Sequence, residues 1–140
     1  MGATTAQLNN ILNYTFGAVA FSPANPATMY FGLSTTTVDA TGLASSTEPL
    51  TASGYARIAF TNNQSSHWHN STAASIHNDI AVTFAESTAA WGTILSVFIA
   101  DSGTRAAGNI IWYQTLSPSL VVQDNTIVEF PAESIVVTMT

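Results

Sequence analysis

At 140 residues the chain is long enough to bury one real core and too short to expect two domains, so residues 1–140 are read as a single domain. Charged residues make up 7% of it, against an average near ~25%, while hydrophobic residues stand at an ordinary 46%. Eight acidic residues meet only Arg57 and Arg105, and the formal net charge of −6 argues against nucleic acid as a partner, because neutralising phosphates takes a cluster of Lys and Arg. No apolar run is long enough to span a bilayer and no basic n-region precedes an apolar h-region, so neither a membrane span nor an export signal is expected. The lack of cysteine removes disulfides, thiolate catalysis and zinc ribbons together. The surface must then be built from Ser, Thr, Asn, Gln and small apolar groups, a surface that desolvates few ions when it packs against another protein.

In chain order, Thr4 with Gln7 three residues later forms a capping-box pattern. Leu8, Ile11, Leu12 and Phe16 then recur at helical spacing with Gly17 just beyond, which predicts one short helix over about residues 4–16. Its apolar stripe must cover either the open end of its own domain or a neighbouring subunit, and packing at home is the favoured expectation. Pro23 and Pro26 make the next stretch irregular, and a strand follows at 28–34. Residues 35–53, rich in Thr, Ser and Ala with no sustained period, read as a long loop that either reaches a neighbour or forms a solvated excursion.

Residues 54–61 begin the sheet proper, with Tyr55, Arg57, Ala59 and Thr61 expected on one face and Ile58 and Phe60 turned to the core. A polar loop at 62–75 carries Trp68. Strands are then expected at 80–84, 93–100, 109–116, 126–130 and 134–139, broken by Ser102-Gly103, Ser117-Pro118 and Asp124-Asn125. The result is a mainly β fold, a single antiparallel β-sandwich of jelly-roll-like form with one short N-terminal helix.

The constellation closest to chemistry is His67-Trp68-His69 with His77 and Asp79 nearby. In an extended segment His67 and His69 point to one side, and two imidazoles with a carboxylate could hold Zn, Ni or Cu, although a polar loop or interface is the favoured reading and no metal or cofactor is assigned. Asp101, before Ser102-Gly103, is expected to cap a turn, and a pair with Arg105 would be a surface contact of small value. Arg57 could anchor a neighbouring subunit or pair with one of the chain's own acids. No serine sits in a nucleophile elbow, no Gly-rich phosphate loop is present, and Glu86, Glu129 and Glu133 lie beside turn signals, so no enzyme is expected.

The order of these segments carries a resemblance. Leu8-Asn-Asn-Ile-Leu-Asn-Tyr14, Ala27-Thr-Met-Tyr-Phe-Gly-Leu-Ser-Thr35, Gly54-Tyr-Ala-Arg57, Trp68 in its polar loop, Ala81-Val-Thr-Phe84, Trp91-Gly-Thr93 and Gly108-Asn-Ile-Ile-Trp-Tyr113 cover nearly the whole chain. Together they resemble a family of small structural proteins of tailed bacteriophages, labelled tail-fibre-like or head-decoration proteins. The resemblance implies a non-enzymatic virion part. The leading expectation is a capsid cement or decoration protein that binds the major capsid lattice as a homo-oligomer, a trimer favoured. A tail, baseplate or fibre-associated protein is the first alternative. A carbohydrate-binding module using Trp68, Trp112 or Tyr113 as stacking platforms is the second. Tyr55, Arg57, His67, Trp68, His69, Trp112 and Tyr113 are the candidate interface residues.

Overall fold

The computed structural model describes residues 1–16, 26–63, 67–69, 71 and 73–138. Runs of β-branched and aromatic residues give the strands: β1 (Gly2–Ala3), β2 (Thr28–Ser34), β3 (Ile58–Thr61), β4 (Ser75–His77), β5 (Val82–Thr83), β6 (Gly92–Ala100), β7 (Ile110–Val122), β8 (Glu129–Phe130) and β9 (Val136–Thr138), with helix α1 (Thr5–Thr15) near the start. They form a five-stranded antiparallel sheet in the order β1-β7-β6-β2-β3 and two ribbons, β4-β9 and β5-β8. Among the described residues the chain is therefore mainly β and antiparallel with a single α-helix, near the N-terminus, as its sequence predicts.

Period-2 alternation along β2 and β6 sorts side chains onto the two faces of the large sheet. Phe31, Leu33, Val97 and Ile99 point to one face, where Val82, Phe84, Val128, Ile135 and Val137 of the ribbons and their flanks close the main core. Phe98 and Ala100 point to the other, where with Ile110 and Val38 they form a smaller core under residues 35–53. The second layer is split into ribbons, so the sandwich is made by one continuous sheet and two short ones.

The long loop is neither a free arm nor a solvated excursion. It contains 3-10 turns at Gly42–Ser45 and Thr51–Ser53 and buries Val38 and Glu48. Two serines on facing strand positions, Ser34 of β2 and Ser96 of β6, hold it from beneath. Ser34 Oγ accepts from the backbone N–H groups of Thr36 and Thr47, and Ser96 Oγ accepts from that of Val38. Both serines are fully buried, and such hydroxyls cost little only because the loop backbone satisfies them.

Other differences have local causes. The strand expected from residue 54 starts at Ile58, so the alternation does not extend back to Tyr55 and Arg57, and both are buried although the pattern put them opposite Phe60. Ser117-Pro118 does not end β7. Ile94 pairs with Leu120 and Ser96 with Thr115, so residues 116–119 bulge opposite Leu95, and Pro118 stands where no ladder N–H is needed. Strand β4 lies at the end of a stretch read as loop. Gly17, Pro23 and Met139 fall outside the described residues.

Helix α1 is the largest departure. Thr4 caps it by accepting from the Gln7 N–H at 3.4 Å, but the reciprocal half of the capping box is absent, because the Thr4 N–H donates to Ile111 O of β7. The Thr5 N–H donates to Ala40 O, so the first turn is pinned to the sheet and the loop. Beyond it the helix buries no residue. Leu8, Leu12 and Phe16, on one i, i+4 line, are 48%, 54% and 80% exposed. The stripe expected to pack at home faces outward.

Candidate functional site

Tyr55 and Arg57, two of the candidate interface residues, belong to a buried polar cluster built on Glu48. The Arg57 guanidinium binds the Glu48 carboxylate in a fork, Nε to Oε2 at 2.9 Å and Nη2 to Oε1 at 2.7 Å. Its remaining nitrogen donates to the carbonyls of Ser102 and Ala107 in the β6–β7 connection. Its carbon lies 5.1 Å from the centre of the Phe98 ring, which itself covers Gly32 on β2. The Tyr55 hydroxyl donates to Glu48 Oε2 and accepts from the Leu33 N–H, and the Ala106 N–H donates to Glu48 Oε1. Arg105, rather than pairing with Asp101, donates to the carbonyls of Glu48 and Pro49. Asp101 caps its turn as expected, accepting from the backbone and side chain of Asn109.

Burial pushes the Glu48 carboxyl up, but the bonds from Arg57, Ala106 and Tyr55 outweigh it and hold the group below its ordinary value of 4.5. Burial, followed by the adjacent Glu48 charge, pushes the Tyr55 phenol far upward, so it remains a neutral donor. With the Glu48 and Arg57 charges matched inside the molecule, the cluster positions the loop that carries Glu48. Of the two readings for Arg57, the pair with an acid of the same chain is the one realised. Tyr55 and Arg57, at 1% and 6% exposure, have almost no surface of their own to offer a partner.

The histidine constellation assembles differently from its reading as a His67–His69 pair. Trp68 and Asn78 form an antiparallel bridge, closed by the His69 N–H to His77 O at 2.9 Å and the Asp79 N–H to His67 O at 2.8 Å. Trp68 and Asn78 point inward and are buried, so His67, His69, His77 and Asp79 stand on the outer side. His69 Nδ1 comes within 3.3 Å of Asp79 Oδ1, His77 Nε2 within 3.9 Å of the same atom, and the two rings stack with centroids 4.6 Å apart. His67 turns instead toward Phe60, with ring centres 6.5 Å apart.

Asn78 makes this frame rigid. Its side chain donates to the carbonyls of Ile80 and Pro131 and accepts from the Ile135 N–H, so a 3%-exposed amide ties β4 to the stretch leading into β9. Neither Asn78 nor Glu48 was singled out in the sequence, since nothing local marks an Asn or Glu as buried. The sequence signal for Glu48 is weak: a lone cation set among strand residues, Arg57, can be buried if one of the chain's acids meets it. Trp112 and Tyr113 on β7 are half-buried, the first against the main core and the second against the smaller one. Trp68, at 7% exposure, meets the Phe60 ring edge-on at 5.5 Å.

The model of the family described as podophage GP4 fiber I protein gp80 matches residues 2–138. No curated protein matches the chain.

Proposed function

Because the chain belongs to the podophage GP4 fiber I protein gp80 family, a family of tailed-phage structural proteins of fibre type, we propose that it acts as a non-enzymatic subunit of the virion's fibre or tail apparatus and assembles there as a homo-oligomer. The observation that carries the assembly is α1. A helix with no charged residue and no buried one, presenting Leu8, Leu12 and Phe16 to solvent, leaves apolar surface in water at a cost that a partner surface would recover. Full burial of such side chains stabilises by roughly 1.5–3 kcal/mol each, less the cost of association. The partner is a second copy of the chain, since an apolar helix face gathered around a symmetry axis closes an assembly of identical chains without any other component. The trimer expected from the sequence is the proposed stoichiometry.

The family is described as one of fibre proteins, so the fibre address replaces the head-decoration role as the leading reading. Of the stacking platforms expected for a carbohydrate-binding module, Trp68 is buried, and Trp112 and Tyr113 are half-buried against the two cores, which makes this the weaker reading. The test is to add gold-labelled protein to separated phage heads and tails stripped of the native copy. Label confined to tails supports the fibre reading. Regular label over the head shell would move the protein to the decoration role, and label on neither would sink the virion assignment.

A further inference from the structure

We propose that His69, His77 and Asp79 form a binding site for a divalent transition-metal ion of the zinc class. The argument begins with the ladder. The Trp68–Asn78 bridge fixes which residues stand opposite one another, so His69 faces His77 directly and Asp79 lies on the diagonal, all on the solvent side. These are three side chains of the types that bind such an ion, each offering one ligand atom, and those atoms all lie within 4.8 Å of one another.

The spacing fits a single ion. Donors held about 2.0–2.1 Å from a tetrahedral zinc lie roughly 3.3–3.4 Å apart. His69 Nδ1 and Asp79 Oδ1 stand at 3.3 Å, and His77 Nε2 and Asp79 Oδ1 at 3.9 Å. An ion must lie in the plane of each imidazole, so binding exchanges the present ring stack for two in-plane bonds. The side chains have room to turn, being 53% exposed at His69 and 31% at His77. The frame beneath them does not turn, because Asn78, between two of the ligands, is bonded on both its amide nitrogen and its oxygen. Three protein ligands leave a further position for water or an outside donor.

Bound there, the ion would join the 67–69 segment to the end of β4 and close the stretch between residues 69 and 77. It would therefore stabilise the folded chain in proportion to its occupancy. This inference stands apart from the virion role and shares no residue with the α1 face.

The experiment is titration of the purified full chain, freed of metal with a chelator, with Zn2+ by calorimetry, and with Co2+ by visible absorption, which reports the ligand geometry directly. One ion per chain, a rise in melting temperature with added Zn2+, and Co2+ bands of tetrahedral intensity are expected. His69→Ala, His77→Ala and Asp79→Asn should each weaken Zn2+ binding by more than about tenfold, since loss even of an outer-shell partner costs 10–100-fold. All three positions are on the outer side, and circular dichroism checks that each variant keeps the wild-type fold. His67→Ala should leave the affinity unchanged. Absence of saturable binding by the wild type up to on the order of 1 mM, or equal binding by wild type and the His69→Ala/His77→Ala double variant, would overturn the proposal.

Discussion

Removal of the Glu48 carboxylate would leave the Arg57 guanidinium buried with carbonyl partners and no counter-charge, and would strip the Tyr55 hydroxyl and the Ala106 N–H of their acceptor. Breaking a buried pair from one side costs about 3–5 kcal/mol, far more than an exposed pair is worth. Glu48→Ala should therefore lower the unfolding free energy by that amount, read as a lower denaturant midpoint with the slope unchanged. The same carboxylate makes stability depend on pH. Its native value is held below 4.5, so the unfolded chain takes up the proton first as pH falls. The stabilisation is complete above 4.5 and is lost as pH drops through that value toward the depressed native one. Asp39, held low by bonds from Thr41, acts in the same direction. Melting temperatures recorded between about pH 7 and 3 should fall on the acid side for the wild type and fall less for Glu48→Gln. A second residue test lies beneath the same guanidinium. A Cβ added to Gly32 would enter the Phe98 ring, which has β2 on one side and Arg57 on the other. Gly32→Ala should destabilise by about 1–3 kcal/mol, the usual cost of forcing a methyl into a packed site. Gly92→Ala, with open space around its Cβ but φ +84, tests backbone strain instead of packing.

At the scale of elements, legibility followed the length of the pattern. β2 was read to both ends, residues 28–34, because a run of aromatic and aliphatic residues between Pro26 and a Thr-rich stretch leaves little alternative. β6 was read within one residue for the same reason. β4 was missed, since Ser75-Ile76-His77 is too short to show a period and its pairing with Val136–Thr138 is set by distant residues. The Gly54–Arg57 stretch was read by alternation, which cannot see that Arg57 satisfies its charge inside the molecule. In the histidine site, that His67 and His69 share a side is legible from period 2, but which side faces solvent is not. The register that brings His77 and Asp79 to His69 is not legible either, because a single bridge at Trp68–Asn78 decides it. The helix itself was legible and its partner was not, since an apolar stripe has the same sequence whether it packs in cis or in trans. If it packs in trans, replacing Leu8, Leu12 and Phe16 together by Ser should leave monomer stability within about 0.5 kcal/mol, as for surface substitutions generally, while abolishing the oligomer. Sedimentation velocity beside a denaturation curve separates the two effects. Loss of the fold in the triple variant would mean that the stripe is needed at home.

The whole molecule brings its charge and its sticky face into opposition. Each copy carries a formal −6, and no charged residue lies within Thr5–Thr15. Copies meeting through α1 therefore gain nothing from ion pairs within the helix contact and work against the repulsion of two acidic bodies. Salt screens that repulsion over about 10 Å at 0.1 M and about 3 Å at 1 M, and it leaves burial of Leu8, Leu12 and Phe16 intact. Self-association should consequently tighten as NaCl rises from about 0.05 to 0.5 M, the reverse of an assembly held by complementary charges. Sedimentation equilibrium across that range gives the sign. A dissociation constant that rises with salt would show that acidic side chains pair with Arg57 or Arg105 of another copy. That outcome is at odds with the geometry at Arg57, whose buried guanidinium is bonded to Glu48, Ser102 and Ala107 of its own chain, and would point to Arg105. With Arg57 committed inside and no charge on α1, the helix contact has only apolar and neutral polar surface with which to hold a copy of the chain.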